Sequence, residues 1–200
     1  MLTPTELLEP FARLRRPDDV VVTTMSVVRP WGSLSDSDLD FASADSAMGH
    51  AADLALGIAM AQPARRVICL NGDGSMLMSL GTLATIVAAG PTNLRLIVVD
   101  NGGYEITGSQ PVPAAGRIDY AGLAASCGFA VAESADDPDA YRARLPAFLE
   151  QSGPSLLSVK VRPGHEPPIS RRPTEPARYL QSSLHDWSRT MRSALGGADS

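Results

Sequence analysis

Residues 66–100 constrain this chain more than any other segment. RVICL (66–70) is a short, continuous apolar run, the pattern of a strand buried on both faces. NGDGS (71–75) interrupts it. MLMSLGTLATIVAAG (76–90) then reads as a helix that Gly90-Pro91 stops, and NLRLIVVD (93–100) is a second apolar run. Strand, helix and strand in that order make a βαβ unit, whose crossover is right-handed and whose two strands lie parallel. The carboxyl ends of both strands then meet one edge of the sheet, where open α/β domains bind their ligands.

The alternation continues on either side. Thr5 to Arg16 reads as an amphipathic helix with Leu7, Leu8, Phe11 and Leu14 on one face, and Asp19 to Val28, which holds VVVTT, as a first strand. PWGSLSDSDLDFASADS (30–46) is too rich in Ser and Asp for a core element and reads as a long polar loop. Ala47 to Met60 is a helix that Pro63 ends. Past a loop over 101–117 come a helix (Asp119 to Cys127), a short strand (Gly128 to Ala132), a helix (Asp137 to Gln151) and a final strand, SLLSVKV (155–161). The expected fold is α/β: a doubly wound, mostly parallel sheet with helices on both faces, over residues 1–162. The Pro- and Arg-rich stretch 163–178 reads as a linker, and 179–200 as an amphipathic helix and tail. The stripe Leu180, Leu184, Trp187, Met191 and Leu195 could pack on another chain or fold back on its own domain.

A formal net charge of -5 leaves no basic surplus, which argues against nucleic acid as the main partner. No stretch approaches the ~18 apolar residues of a membrane span. The charged N-terminal stretch MLTPTELLEPFARLRR lacks the apolar core of a secretory peptide, so a cytoplasmic protein is expected. Cys69, inside an apolar run, reads as a small buried hydrophobe, and with Cys127 it forms neither a metal cluster nor a disulfide framework.

The chemistry lies in two quartets, Gly72-Asp73-Gly74-Ser75 and Asp100-Asn101-Gly102-Gly103, each ending a strand of the βαβ unit. A lone Gly-Asp-Gly is ordinary turn chemistry, and a lone Asn-Gly after a strand is equally bland. Joined by a crossover they bring a carboxylate and an amide oxygen to one point, a fitting pair for a hard cation such as Mg²⁺ that also takes phosphate ligands. The glycines beside Asp73 let phosphate oxygens approach main-chain N–H groups at the start of a helix near Ser75 or Met76. These residues alone spell a Mg²⁺–diphosphate site.

GDGS followed by an Asn 28 positions after its Asp resembles the cofactor motif of the thiamine diphosphate decarboxylase and acetolactate synthase superfamily, over about residues 20–162. The resemblance implies thiamine diphosphate and Mg²⁺ as cofactors. Asp73 and Asn101 would be metal ligands through their side chains and Gly103 through its carbonyl. Gly72, Gly74 and Ser75 would hold the diphosphate, with Tyr104 beside them. Asp100 stands where many relatives carry the first of two Asn residues. Upstream, Ser46-Ala47-Met48-Gly49 is similar to the segment that embraces the aminopyrimidine. There the Ser46 carbonyl would accept from the 4'-amino group, and Met48 would wedge between the rings to bend the cofactor; without the downstream motif, Met48 reads as core. Within the superfamily, SAMGHAADLALGIAMAQP (46–63), LGTLATI (80–86) and DNGGYEITGSQP (100–111) are similar to sulfopyruvate and phosphonopyruvate decarboxylases. His50 is then either an acid–base residue near the cofactor or a structural residue at a helix start. His165 and His185 fall outside the match and read as surface residues.

Relatives bind the cofactor between two domains, the second supplying a glutamate that activates the pyrimidine. This chain has room for one, so the resemblance implies a separate pyrimidine-binding, alpha-type subunit and a hetero-oligomer; it gives no reason to assign Glu105 that role. The implied function is the cofactor-binding subunit of a two-chain 2-oxo acid decarboxylase that releases CO₂ and an aldehyde. An acetolactate synthase-like carboligase subunit and a non-catalytic cofactor-binding or regulatory subunit are the alternatives. Arg29 and Arg117 are candidate partners for an anionic substrate group, or else solvated surface charges.

Overall fold

The computed structural model describes residues 1–43 and 48–196. Six strands, β1 (Val20–Thr24), β2 (Asp40–Ser43), β3 (Val67–Gly72), β4 (Leu94–Asp100), β7 (Val131–Ala135) and β8 (Ser155–Lys160), form one sheet in the order β2-β1-β3-β4-β8-β7. Every neighbouring pair is parallel. A small antiparallel hairpin, β5 (Gly103–Tyr104) with β6 (Gln110–Pro111), stands apart from it.

Strand periodicity sorts the sheet's side chains onto two faces. Val21, Ile68, Leu70, Ile97, Val99 and Leu157 face one way. That side is covered by α1 (Pro4–Leu14), α2 (Val28–Gly32) and α7 (Pro138–Glu150), through Leu7, Leu8, Phe11, Trp31, Tyr141 and Phe148. Val20, Val22, Val67, Cys69, Leu96 and Val98 face the other way. Over them lie α3 (Ala51–Ala61), α4 (Asp73–Met78), α5 (Gly81–Ala89) and α6 (Tyr120–Cys127). Each large apolar side chain buried this way contributes roughly 1.5–3 kcal/mol. The doubly wound α/β fold with helices on both faces is present as the sequence predicts.

The structure departs from the sequence reading in several places, and the short strand expected over Gly128 to Ala132 runs Val131–Ala135, because Gly128 still caps α6. The predicted polar loop over 32–46 contains an edge strand, β2, because the polar residue that opens it is satisfied: the buried Asp40 carboxylate accepts from the distant Arg15 Nη2 at 3.1 Å and from the nearby Ser35 Oγ at 2.5 Å. The predicted first strand stops at Thr24 and passes through a 3₁₀ turn, Met25–Val27, into α2. The predicted helix over 76–90 is two helices, α4 and α5, since Ser79 leaves the helical region (φ -142, ψ 46) and Gly81 follows. Leu14 is exposed rather than buried with the rest of its stripe.

The C-terminal stripe folds back on its own domain. In α8 (Leu184–Ala194), Trp187 is buried with one side of the sheet and Met191 with the other, so the helix wraps the β2 edge. Trp187 Nε1 donates to the Asp40 carbonyl at 2.7 Å. The stretch 163–178 that leads to α8 is seated against the domain, with Glu175 and Ala177 buried. Arg29 Nε and Nη2 bind the two Glu175 oxygens at 2.6 and 2.9 Å, and its Nη1 and Nη2 donate to the carbonyls of Pro167 and Pro168 at 2.7 and 2.8 Å. At the other end of the chain, Leu2 forms a parallel bridge to Val161, donating to the Lys160 carbonyl at 2.8 Å and accepting from Arg162 N at 2.7 Å. No helix among the described residues is long and apolar enough to cross a membrane.

Candidate functional site

A cleft opens where β1, β3 and β4 end, on the sheet edge that the βαβ reading singles out. Gly72, Asp73, Gly74 and Ser75 line it from the end of β3 and the first turn of α4, with Asn101, Gly103 and Tyr104 from the end of β4 and the hairpin. Met48 lines it as well. Eight residues named from the sequence therefore share one cavity. Ser46 lies outside the described residues. His50 does not line the cleft: it precedes α3, is exposed, and its Nδ1 sits 3.1 Å from Asp53 Oδ2.

Asp73 is the first residue of α4 and is almost fully buried. Its Oδ1 accepts from Gly74 N and its Oδ2 from Gly102 N, both at 2.8 Å. The second bond joins the two quartets directly. It needs Gly102 at φ +75, a conformation that side chains disfavour, to aim that N–H back at β3. Burial raises the Asp73 carboxyl to about 7, against the pull of the two N–H groups, and neighbouring Asp100 pushes in the same direction as burial. Gly74 must also be glycine, because a Cβ there would meet the Tyr104 ring at 2.4 Å. Behind the turn, Tyr120 donates to the Asp73 carbonyl at 3.3 Å, and burial raises its phenol above the ordinary range.

Asn101 is fixed at both ends of its carboxamide. Oδ1 accepts from Gly103 N at 3.1 Å, and Nδ2 donates to Glu105 Oε2 at 2.9 Å. Ser75 Oγ accepts from Gly49 N at 2.9 Å, which ties the Met48-Gly49 turn to α4 and leaves the hydroxyl hydrogen for another acceptor.

The donor set suits a hard cation that keeps foreign ligands. Among the described residues no group of three or more His, Cys, Asp or Glu side chains is placed to hold a metal. The cleft offers instead the Asp73 and Glu105 carboxylates and the Asn101 amide oxygen, an incomplete oxygen shell of the kind Mg²⁺ fills with water and phosphate. The residues present thus fit a metal–diphosphate group.

Met25, Ser26, Ile106 and Thr107 also line the cleft and were not named from the sequence, and Glu105, which the sequence reading left without a role, lines it with them. Met25 carries a φ of 49, rare for a side-chain-bearing residue, where the chain turns off β1. Nothing in the local sequence announces that turn, since the backbone delivers it. Arg29 is no solvated charge and no free anion partner, because Glu175 and two carbonyls occupy its guanidinium. Arg117 lines a separate cleft with Lys160, beyond β4.

The family described as thiamine pyrophosphate enzyme, C-terminal TPP binding domain, matches residues 37–159. A phosphonopyruvate decarboxylase from Streptomyces hygroscopicus is 34% identical over 172 residues, which are 84% of this chain but 42% of that protein. The sulfopyruvate decarboxylase subunit beta of Methanothermobacter thermautotrophicus is 40% identical over 149 residues, 74% of this chain and 76% of that subunit. The chain thus spans about two fifths of the former and about three quarters of the latter. Among solved structures, the thiamine diphosphate-dependent 4-hydroxybenzoylformate decarboxylase of Rhodococcus jostii RHA1 matches 82% of this chain and 33% of its own, with a TM-score of 0.69 at 22% identity, a likeness of fold.

Proposed function

The chain belongs to the thiamine pyrophosphate enzymes, through their C-terminal TPP-binding domain, and from that premise we propose that it is the cofactor-binding subunit of a two-chain 2-oxo acid decarboxylase. The observation that carries the reading is the convergence of Asp73, Asn101, Gly103 and Met48 on one cleft at the carboxyl edge of the sheet. Asp73, Asn101 and the Gly103 carbonyl would hold Mg²⁺, Gly74 and Ser75 the diphosphate, and Met48 the bend of the cofactor. Bound thiamine diphosphate supplies the electron sink that lets a 2-oxo acid lose CO₂. The part of this chain would be to fix that group, with Met48 imposing its bend.

Two observations support a partner chain. Glu105, the one glutamate among the described residues that line the cleft, has its oxygens turned to this chain's own donors, Asn101 Nδ2 and Glu166 N at 2.9 Å. No cationic side chain lines the cleft among the described residues. An alpha-type chain is then the source of the activating glutamate, and of positive charge for a substrate sulfonate or phosphonate, the substrate classes that the relatives' names carry.

The test mixes this chain with the chain that co-purifies with it, adds Mg²⁺ and thiamine diphosphate, and supplies sulfopyruvate or phosphonopyruvate. CO₂ and aldehyde that require both chains are expected. Decarboxylation by this chain alone, or an acyloin as the main product, would overturn the reading.

A further inference from the structure

Glu105 is placed by neither the proposed metal shell nor the diphosphate cradle, yet its two oxygens face two different parts of the molecule. Oε2 accepts from Asn101 Nδ2 at 2.9 Å, and Oε1 accepts from the backbone N–H of Glu166, also at 2.9 Å. A carboxamide presents an oxygen at one end and an NH₂ at the other, and these differ little in shape, so a neighbour has to select which end faces where. An ionised carboxylate only accepts, and it therefore selects the NH₂. The Asn101 oxygen is turned to the other side, where it meets Gly103 N at 3.1 Å.

The second contact reaches a segment 61 residues away in sequence. After β8 the chain passes Gly164, whose bare Cα lets the carboxylate come close: a Cβ there would stand 2.8 Å from Glu105 Oε1. Two residues on, Glu166 N is bound, and the next two carbonyls are gripped by Arg29. The segment is held at both points.

We propose that Glu105 is a positioning residue that turns the Asn101 oxygen toward the metal and, through its other oxygen, couples that orientation to the seating of residues 162–168. The inference rests on the Mg²⁺–diphosphate reading of the cleft. Groups one step outside a metal shell orient the ligands within it, and losing them typically weakens metal binding ~10–100-fold. Because coupling between two sites is reciprocal, metal binding also tightens the segment.

Mn²⁺ is the probe, titrated in the presence of thiamine diphosphate into the full chain, together with its partner if the two co-purify. Amide exchange at Glu166 is followed by NMR in parallel samples with diamagnetic Mg²⁺ in place of Mn²⁺. Wild type binds Mn²⁺ in a manner that Asp73→Ala abolishes, and binding slows exchange at Glu166. Glu105→Ala raises the Mn²⁺ needed for half-saturation by ~10–100-fold and removes the protection. Glu105→Gln separates the two contacts: its amide oxygen still accepts from Asn101 and restores metal affinity, while its NH₂ meets the Glu166 N–H and protection stays lost. Gly164→Ala, which crowds Oε1 without touching Asn101, weakens metal binding from outside the site. Unchanged Mn²⁺ titration in Glu105→Ala, with wild-type binding still Asp73-dependent, overturns the positioning role alone. Parallel losses in Glu105→Ala and Glu105→Gln, following a lowered Tm, also overturn it. Absence of Asp73-dependent binding in wild type removes the cleft reading and the inference together.

Discussion

Asp73 is a carboxylate that little water reaches, held by two backbone N–H groups and crowded by Asp100. Its folded carboxyl ionises near 7 against an ordinary value of 3.8, so between those values the folded chain keeps a proton that the unfolded chain has lost. Stability of the metal-free chain from this group is therefore highest at low pH, falls as pH rises from about 4 to about 7, and then levels. A bound divalent cation favours the ionised form and opposes the trend. Mg²⁺ with thiamine diphosphate should accordingly raise Tm more at pH 8 than at pH 6, and Asp73→Asn should flatten both profiles in thermal denaturation; an unaltered slope in that variant would refute the assignment. Asp73→Ala should weaken Mg²⁺-dependent cofactor binding at least ~100-fold by calorimetry, the upper end of what outer contacts alone cost. Asp73 and Asn101 were legible in the sequence because a βαβ crossover forces strand ends together whatever the side chains. Met25 and Glu105 were not, since a turn off β1 and a contact to residue 166 depend on parts of the chain that local pattern does not join.

Among the elements, the long apolar strands announced themselves and β2 did not. β3, β4 and β8 are buried on both faces, so hydrophobicity alone marks them. β2 opens on a charge, and its place depends on Arg15 from the end of α1, on Ser35, and on an indole from α8. The same network decides where the C-terminal stripe goes, which periodicity left open. Trp187→Ala should cost about 3–5 kcal/mol in urea denaturation, the usual price of emptying a buried aromatic site. Trp187→Phe keeps most of the packing and removes one donor, so it should cost about 1 kcal/mol. Equal losses in the two variants would show that the Asp40 carbonyl, not the packing, holds the helix. The Met25–Val27 turn and the α4–α5 break were illegible for a simpler reason: each is a backbone departure within a run whose side chains suit a regular element.

At the scale of the molecule, a cofactor cradle lies on an open sheet edge, in a chain whose match covers about two fifths of its phosphonopyruvate decarboxylase relatives. Mixed with its partner, the chain should release CO₂ only when both are present, whereas Asp73-dependent cofactor binding should be measurable on this chain. Retained turnover in a complex built with Asp73→Ala would mark the chain as regulatory instead. The sewing of Leu2 beside Val161 bears on how such a complex can be assembled. Val161 N donates to the carbonyl of Asp100, the residue before Asn101, whereas Met1 N donates to the Asp136 carbonyl just past β7, so β8 stands between the amino end of the chain and the strand that carries Asn101. Anything covalently joined ahead of Met1 would emerge beside the end of β7 and would have to pass the end of β8 to reach the cradle. A genetic fusion that places another chain ahead of this one would therefore need a tether long enough to cross the end of β8, whereas a separately made chain could dock on the cleft directly.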